Sequence, residues 1–167
     1  DGKMETLVNP FGTVYNPVSV SNTISAILEN RLFVEKDLYK HNDRYISLLH
    51  YTNFSSDLPG TLLDRINSNI AASRKFLEKT GFLFVTFGTA RVFRLKESGM
   101  IVSNCHKIAA DQFLSKLLRV EDIVKLWSEQ LDKLNLLFPR LKVVFTISPV
   151  RHWKDGAFGN QVSKSVL

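Results

Sequence analysis

Two short apolar runs, Phe82-Leu83-Phe84-Val85-Thr86-Phe87 and Lys142-Val143-Val144-Phe145-Thr146-Ile147, constrain the fold of this chain most. β-branched and aromatic runs of this length, bounded by turn residues, read as buried strands of a parallel sheet. Open parallel sheets bind ligands in the crevice at the carboxyl ends of their strands. The first run exits into Gly88-Thr89-Ala90, and the second into Ser148-Pro149-Val150-Arg151-His152-Trp153-Lys154-Asp155-Gly156, a dense cluster of reactive side chains. Two strand exits of one kind predict a single shared site.

The segments between these runs read as helices, hairpins and loops. Met4 to Val8 is a strand-like segment entering the turn Asn9-Pro10-Phe11-Gly12, and Pro17 after Asn16 opens a helix reaching about Asn30. Residues 31–44 read as irregular, and Tyr45 to His50 as a second strand. From Thr61 the residues Leu62, Leu63, Ile66, Ile70 and Leu77 fall on one helical face, which Gly81 ends. Arg91 to Leu95 and Met100 to Val102, around Glu97-Ser98-Gly99, predict an inserted β-hairpin. Helices are expected over 108–118 and 121–137, the latter presenting Ile123, Leu126, Leu131, Leu134 and Leu137 on one side. Strands alternating with helices predict an α/β fold with a parallel sheet and right-handed crossovers. Asn160 begins a last helical pattern that runs to Leu167, and the chain reads as a single domain, 1–167, cut at both ends.

Bulk properties restrict the function classes. A chain of 167 residues buries roughly 70% of its unfolded surface, so it needs neither disulfide nor metal to hold a core. The net charge of +6 and a pI near 9.5 favour acidic partners. The basic residues are dispersed without an arginine-rich arm, which argues against nucleic acid. The single Cys105 offers neither an internal disulfide nor metal-ligand spacing. No apolar run reaches the roughly 18 residues of a membrane span, and the polar start at Asp1 is unlike a signal peptide. A soluble, cytoplasmic protein without metal or organic cofactor is the expectation.

Several motifs occur in fixed order: Asn9-Pro10-Phe11-Gly12-Thr13-Val14-Tyr15-Asn16-Pro17, Phe87-Gly88-Thr89-Ala90, Asn104-Cys105-His106-Lys107, Ser148-Pro149-Val150-Arg151-His152, Lys154-Asp155-Gly156 and Asn160-Gln161. Together they resemble the bacterial GSCFA family over essentially the whole chain. That family resembles the SGNH, or GDSL-like, hydrolases, so the resemblance implies a flavodoxin-like three-layer α/β sandwich and a serine esterase acting on an acyl ester, small or glycan-borne. It also implies that the serine belongs to a Gly-Ser-Cys-Phe-Ala block and its histidine to an Asp-x-x-His block, neither of which occurs in this sequence. The chain is then the middle of an active-site scaffold and inert by itself, since serine needs a histidine within hydrogen-bond reach to become a nucleophile.

By position, Gly12 resembles the glycine whose N–H serves an oxyanion hole, and Gly88-Thr89-Ala90 resembles a Gly-x-Asn block, with Ala90 where asparagine is usual. Gly12 also reads as a turn glycine, and Gly88 and Thr89 as a tight strand exit. Arg151 and His152 suit a substrate carboxylate or phosphate, or a buried acid. Asn104, His106 and Ser148 complete the candidate substrate contacts, with Ser148 also suited to a loop hydrogen bond. Cys105 beside His106 is a poor nucleophile–base pair, because neighbours in an extended segment point opposite ways. His41 and His50 read as surface or packing residues. Two rival readings stand beside the esterase. One is a non-catalytic α/β module binding an anionic ligand through Arg151, His152 and Lys154, and the other is an enzyme using His152 and Asp155 as base and orienter.

Overall fold

The computed structural model describes residues 5–151 and 155–167, and its first helix starts where its capping residue stands. α1 spans Pro17–Leu28, with Pro17 at the first turn and the Asn16 side chain accepting the Ser19 N–H at 2.9 Å. After it come the short antiparallel strands β1 (Tyr39–His41), β2 (Arg44–Ile46) and β3 (Ser55–Ser56). α2 (Pro59–Leu77) buries Leu62, Ile66, Ile70, Ser73 and Leu77 on one face, the 3.6-residue stripe expected from the sequence. Phe11, Ala26, Phe33 and Phe54 close that core.

β4 (Phe82–Phe87) pairs in parallel with β8 (Lys142–Ile147), Phe82 opposite Lys142 and Phe87 opposite Ile147. Between them the chain forms a separate antiparallel sheet of order β6-β5-β7, from β5 (Arg91–Leu95), β6 (Ile101–Val102) and β7 (Phe113–Leu117). It returns through α3 (Val120–Leu137), and α4 (Gly156–Ser165) follows β8. The inserted hairpin is therefore present and gains a third strand. Val85 and Phe87 pack with Ile24 of α1 and with Ile123, Trp127 and Leu134 of α3. Phe87, Phe145 and Trp127 meet ring against ring at centroid distances of 5.1 to 5.8 Å.

The opposite face of the parallel pair has no such cover. Phe82 is 55% exposed and Phe84 65%, while Thr86 and Thr146 join hydroxyls across the strands at 2.7 Å. Each strand has only the other as partner, so both outer edges of this sheet are open among the described residues. The α/β class holds, with helices on one side of the parallel pair and small mixed sheets around it.

Four local expectations are corrected. Residues 108–118 form no helix. A 3₁₀ turn at Ala110–Gln112 leads into β7, which pairs with β5 from Phe113 opposite Leu95 to Leu117 opposite Arg91. The strand expected at Tyr45 to His50 stops at Ile46, because the His50 N–H turns back to the Ser47 carbonyl at 3.1 Å and their side chains bond as well. Residues 5–8 take no strand; Met4 lies outside the described residues. On α3 the inner face carries Trp127 and Gln130 with Ile123 and Leu134, whereas Leu137 is exposed near the helix end. The Gln130 Oε1 accepts from the Ser21 and Ser25 hydroxyls, both at 3.0 Å, which ties α3 to α1.

Candidate functional site

The two strand exits lie side by side, and α4 ties them together. At the end of β8, the Ser148 N–H donates to the Phe87 carbonyl at 2.8 Å, extending the parallel register past the strands. Lys164 donates its ammonium to the carbonyls of both Gly88, at 3.1 Å, and Ser148. One turn face away, the buried Ser163 hydroxyl accepts the Ala90 N–H at 2.8 Å and meets the Thr89 hydroxyl at 2.9 Å. The Thr89 hydroxyl in turn accepts the Arg91 N–H at 3.0 Å. At the start of α4, Asp155 stands 3.3 Å from the Arg91 guanidinium Nε, an ion pair without the alignment of a hydrogen bond. A helix of ten residues is marginal alone, so these bonds and the packing of Val166 and Leu167 hold α4 in place.

The segment before α1 closes the other side. The Tyr15 carbonyl accepts the N–H groups of both Gly88, at 2.7 Å, and Thr89, at 3.2 Å. Its ring lies over Gly88, where an added Cβ would come within 3.2 Å of Tyr15 Cδ1. Gly12 has φ +75° and an added Cβ would meet Tyr51 Cβ at 2.3 Å, so only glycine fits there. The Gly12 N–H closes the turn onto the Asn9 carbonyl at 2.7 Å, and the Tyr51 N–H bonds the Phe11 carbonyl at 2.9 Å. Tyr15 and Tyr51 interact through their hydroxyls; partial burial, then Tyr51, raises the Tyr15 phenol above its usual range. Gly12, Tyr51, Tyr15, Gly88 and Ser148 thus form one continuous row.

Asn104 and His106 belong to a second place, under that row. The Ser103 and Asn104 N–H groups donate to the Leu48 carbonyl, and the Asn104 side chain accepts the His106 N–H at 2.8 Å. His106, at φ +47°, is buried and directs Nε2 to the carbonyls of Ser47 at 2.9 Å and His50 at 3.1 Å. Nε2 must therefore carry the proton. His50 is fully buried, its ring stacked on Phe11 at 4.0 Å and flanked by Phe33 and Phe54. Its Nδ1 meets the Ser47 hydroxyl at 2.7 Å, while Nε2 has no partner among the described residues. Burial, reinforced by the charge interaction with His106, lowers the His50 pKa to about 3, and burial lowers that of His106 too. Both imidazoles are neutral at pH 7.

The structure thus brings Gly88, Thr89 and Ser148 together, joins Gly12 to them through two tyrosines, and places Asn104 and His106 behind. Arg151 is exposed at the end of the Ser148 loop; His152 and Lys154 lie outside the described residues. Ala90 is fully buried and its side chain joins the apolar core, so an asparagine there would lie in the core and not in the crevice. Sequence reasoning overlooked Tyr15, Tyr51, Ser163 and Lys164 as site residues. The signal for the last two was present, since polar residues clustered on a helix too short to stand alone need partners elsewhere.

Among the described residues no helix is long and apolar enough to cross a membrane. Neither the curated proteins nor the solved structures contain a match to this chain. The family model described as "GSCFA family" matches residues 1–167, a span that takes in the Asn-Pro-Phe-Gly, Gly-Thr-Ala, Asn-Cys-His-Lys and Ser-Pro-Val-Arg-His motifs. On that match, the chain belongs to the GSCFA family.

Proposed function

We propose that this chain is the scaffold of a serine ester hydrolase of the SGNH type, acting on an acyl ester of a small molecule or a glycan. The observation that carries it is the convergence of motifs far apart in sequence, around Tyr15, Gly88, Ser148 and Lys164, at the carboxyl ends of the parallel pair. In this reading the fold is the flavodoxin-like three-layer sandwich, and the nucleophile and base come from the Gly-Ser-Cys-Phe-Ala and Asp-x-x-His blocks that these residues do not include. Gly12, Gly88 and Thr89 form the site loops. Their N–H groups donate to the Asn9 and Tyr15 carbonyls, so serving an oxyanion requires those carbonyls to turn away first. In this reading Ser148 and Arg151 lie on the substrate side, and the substrate contact expected of His152 falls outside the described residues. Asn104 and His106 act indirectly, by holding the 47–51 loop that carries Tyr51.

The same engaged N–H groups favour a second reading, a non-catalytic module that binds an anion through the Arg151 loop. Intact-mass labelling with a fluorophosphonate probe separates the two. The 167-residue chain should take no adduct, and a chain extended with both family blocks should take one, on the serine of the first block. A stoichiometric adduct on the short chain would place the nucleophile within it. No adduct on the extended chain would favour the anion-binding module.

A further inference from the structure

A groove outside the strand-exit crevice carries its own chemistry. The segment 7–12 crosses the face of α2 and leaves a groove of about 240 Å³, lined by Leu7, Val8, Pro10 and Ala72, with Gly12 and Arg65 both beside Asn53. The segment is fixed from both sides. The Asn69 amide donates to the Pro10 carbonyl at 3.1 Å, and Lys79 pairs with Glu5 at 2.6 Å. Among the described residues nothing fills the groove: Leu7 is 46% exposed and Val8 73%, both bordering it.

Arg65 gives the groove its polarity. Its guanidinium lies over the Phe54 ring at 4.4 Å and donates one N–H to the Asn53 carbonyl at 3.0 Å. No carboxylate pairs with Arg65 among the described residues, and no Asp or Glu lines the groove. A planar fork of donors held over an aromatic ring, with spare N–H groups and apolar walls beside it, is complementary to a carboxylate carrying an aliphatic tail. A groove of about 240 Å³ suits a short aliphatic chain beside the carboxylate rather than a long one.

We propose that this groove is a binding site for a short- to medium-chain aliphatic carboxylate, with Arg65 holding the carboxylate and Leu7, Val8, Pro10 and Ala72 covering the chain. The groove shares Gly12 with the hydrolase site, but the proposal concerns binding alone and stands or falls independently of esterase activity.

The test is an amide-resolved NMR titration of the 167-residue chain with sodium hexanoate, and with hexanamide as the uncharged analogue, at matched ionic strength. Hexanoate should shift the amides of Gly12, Phe54, Asn69 and Ala72 saturably, with Kd of about 1 mM, and hexanamide should bind at least about tenfold more weakly. Arg65→Gln should weaken hexanoate by at least about tenfold, and Ala72→Phe, at an exposed position that fills the groove, should abolish it without unfolding the chain. If Arg65→Gln does not fold, Ala72→Phe decides. Shifts that do not saturate, equal affinity for hexanamide, or binding that survives Ala72→Phe would overturn the proposal.

Discussion

Two neighbouring regions hold loops in place by opposite physics. At the strand exits, Ser163 and Lys164 on α4 reach across to backbone groups at Gly88, Ala90 and Ser148, the Lys164 bonds partly exposed and the Ser163 bond buried. Beneath Tyr51, the 47–50 turn is set by an imidazole inside an aromatic box, with Ser47 and His50 fully buried and one ring nitrogen unpaired. The first arrangement is adjustable where Lys164 makes it, because an ammonium at a partly exposed position can trade a carbonyl for water at small net cost. The second is all or nothing, since a buried neutral imidazole tolerates no charge. The contrast separates the part of the strand-exit region that can rearrange from the part that is fixed to the core.

Acid should expose that contrast most sharply. His50 is held near pKa 3 in the fold, against 6.5 in the unfolded chain, so between those values the unfolded state binds a proton that the native state refuses. The native stability it confers is complete above about pH 6.5 and falls as pH drops toward 3. Urea unfolding should thus lose about 3 kcal/mol between pH 7 and pH 4, in excess of the carboxylate background. His50→Leu should remove that excess slope, while crevice variants keep it. A slope unchanged in His50→Leu would mean that acid sensitivity lies elsewhere.

A smaller effect is expected at the crevice. Ser163→Ala leaves the Ala90 N–H without its acceptor and should cost about 1–3 kcal/mol, with hydrogen exchange at residues 88–91 accelerated and pH dependence unchanged. The smallest belongs to neither region. Arg44 and Asp57 pair at 2.9 Å on the surface, 54% and 81% exposed, and Asp57→Ala should change thermal stability by less than about 0.5 kcal/mol. A larger loss there would show the small sheet β1-β2-β3 to matter more than its exposure suggests.

What could be read from sequence follows from what is local. β4, β8, α1, α2 and α3 were legible because each carries its own pattern and boundary residue: Asn16-Pro17 for α1, the Ile66 and Ile70 stripe for α2, the glycine after Phe87 for β4. β7 was not, because Phe113, Leu114 and Leu117 suit either period and only pairing with β5 decides between them. The turn at Ser47 and His50 escaped because a side-chain bond overrode an apolar run, and Gln130 because a buried amide is recognisable only beside Ser21 and Ser25. The crevice was visible as a pair of strand exits. Its ties to α4 and Tyr15 were not, since they join residues as many as 76 positions apart.

The bare side of the β4–β8 pair has a practical corollary. Phe82 and Phe84 lie beside strand edges that lack strand partners among the described residues, which gives this surface the two ingredients of sticky self-association, greasy rings and open backbone edges. Concentration thereby becomes a hidden variable in every assay of this polypeptide. Ligand titrations, probe labelling and melting curves will each report on a monomer only when dilute, and a dilution series belongs in front of them all.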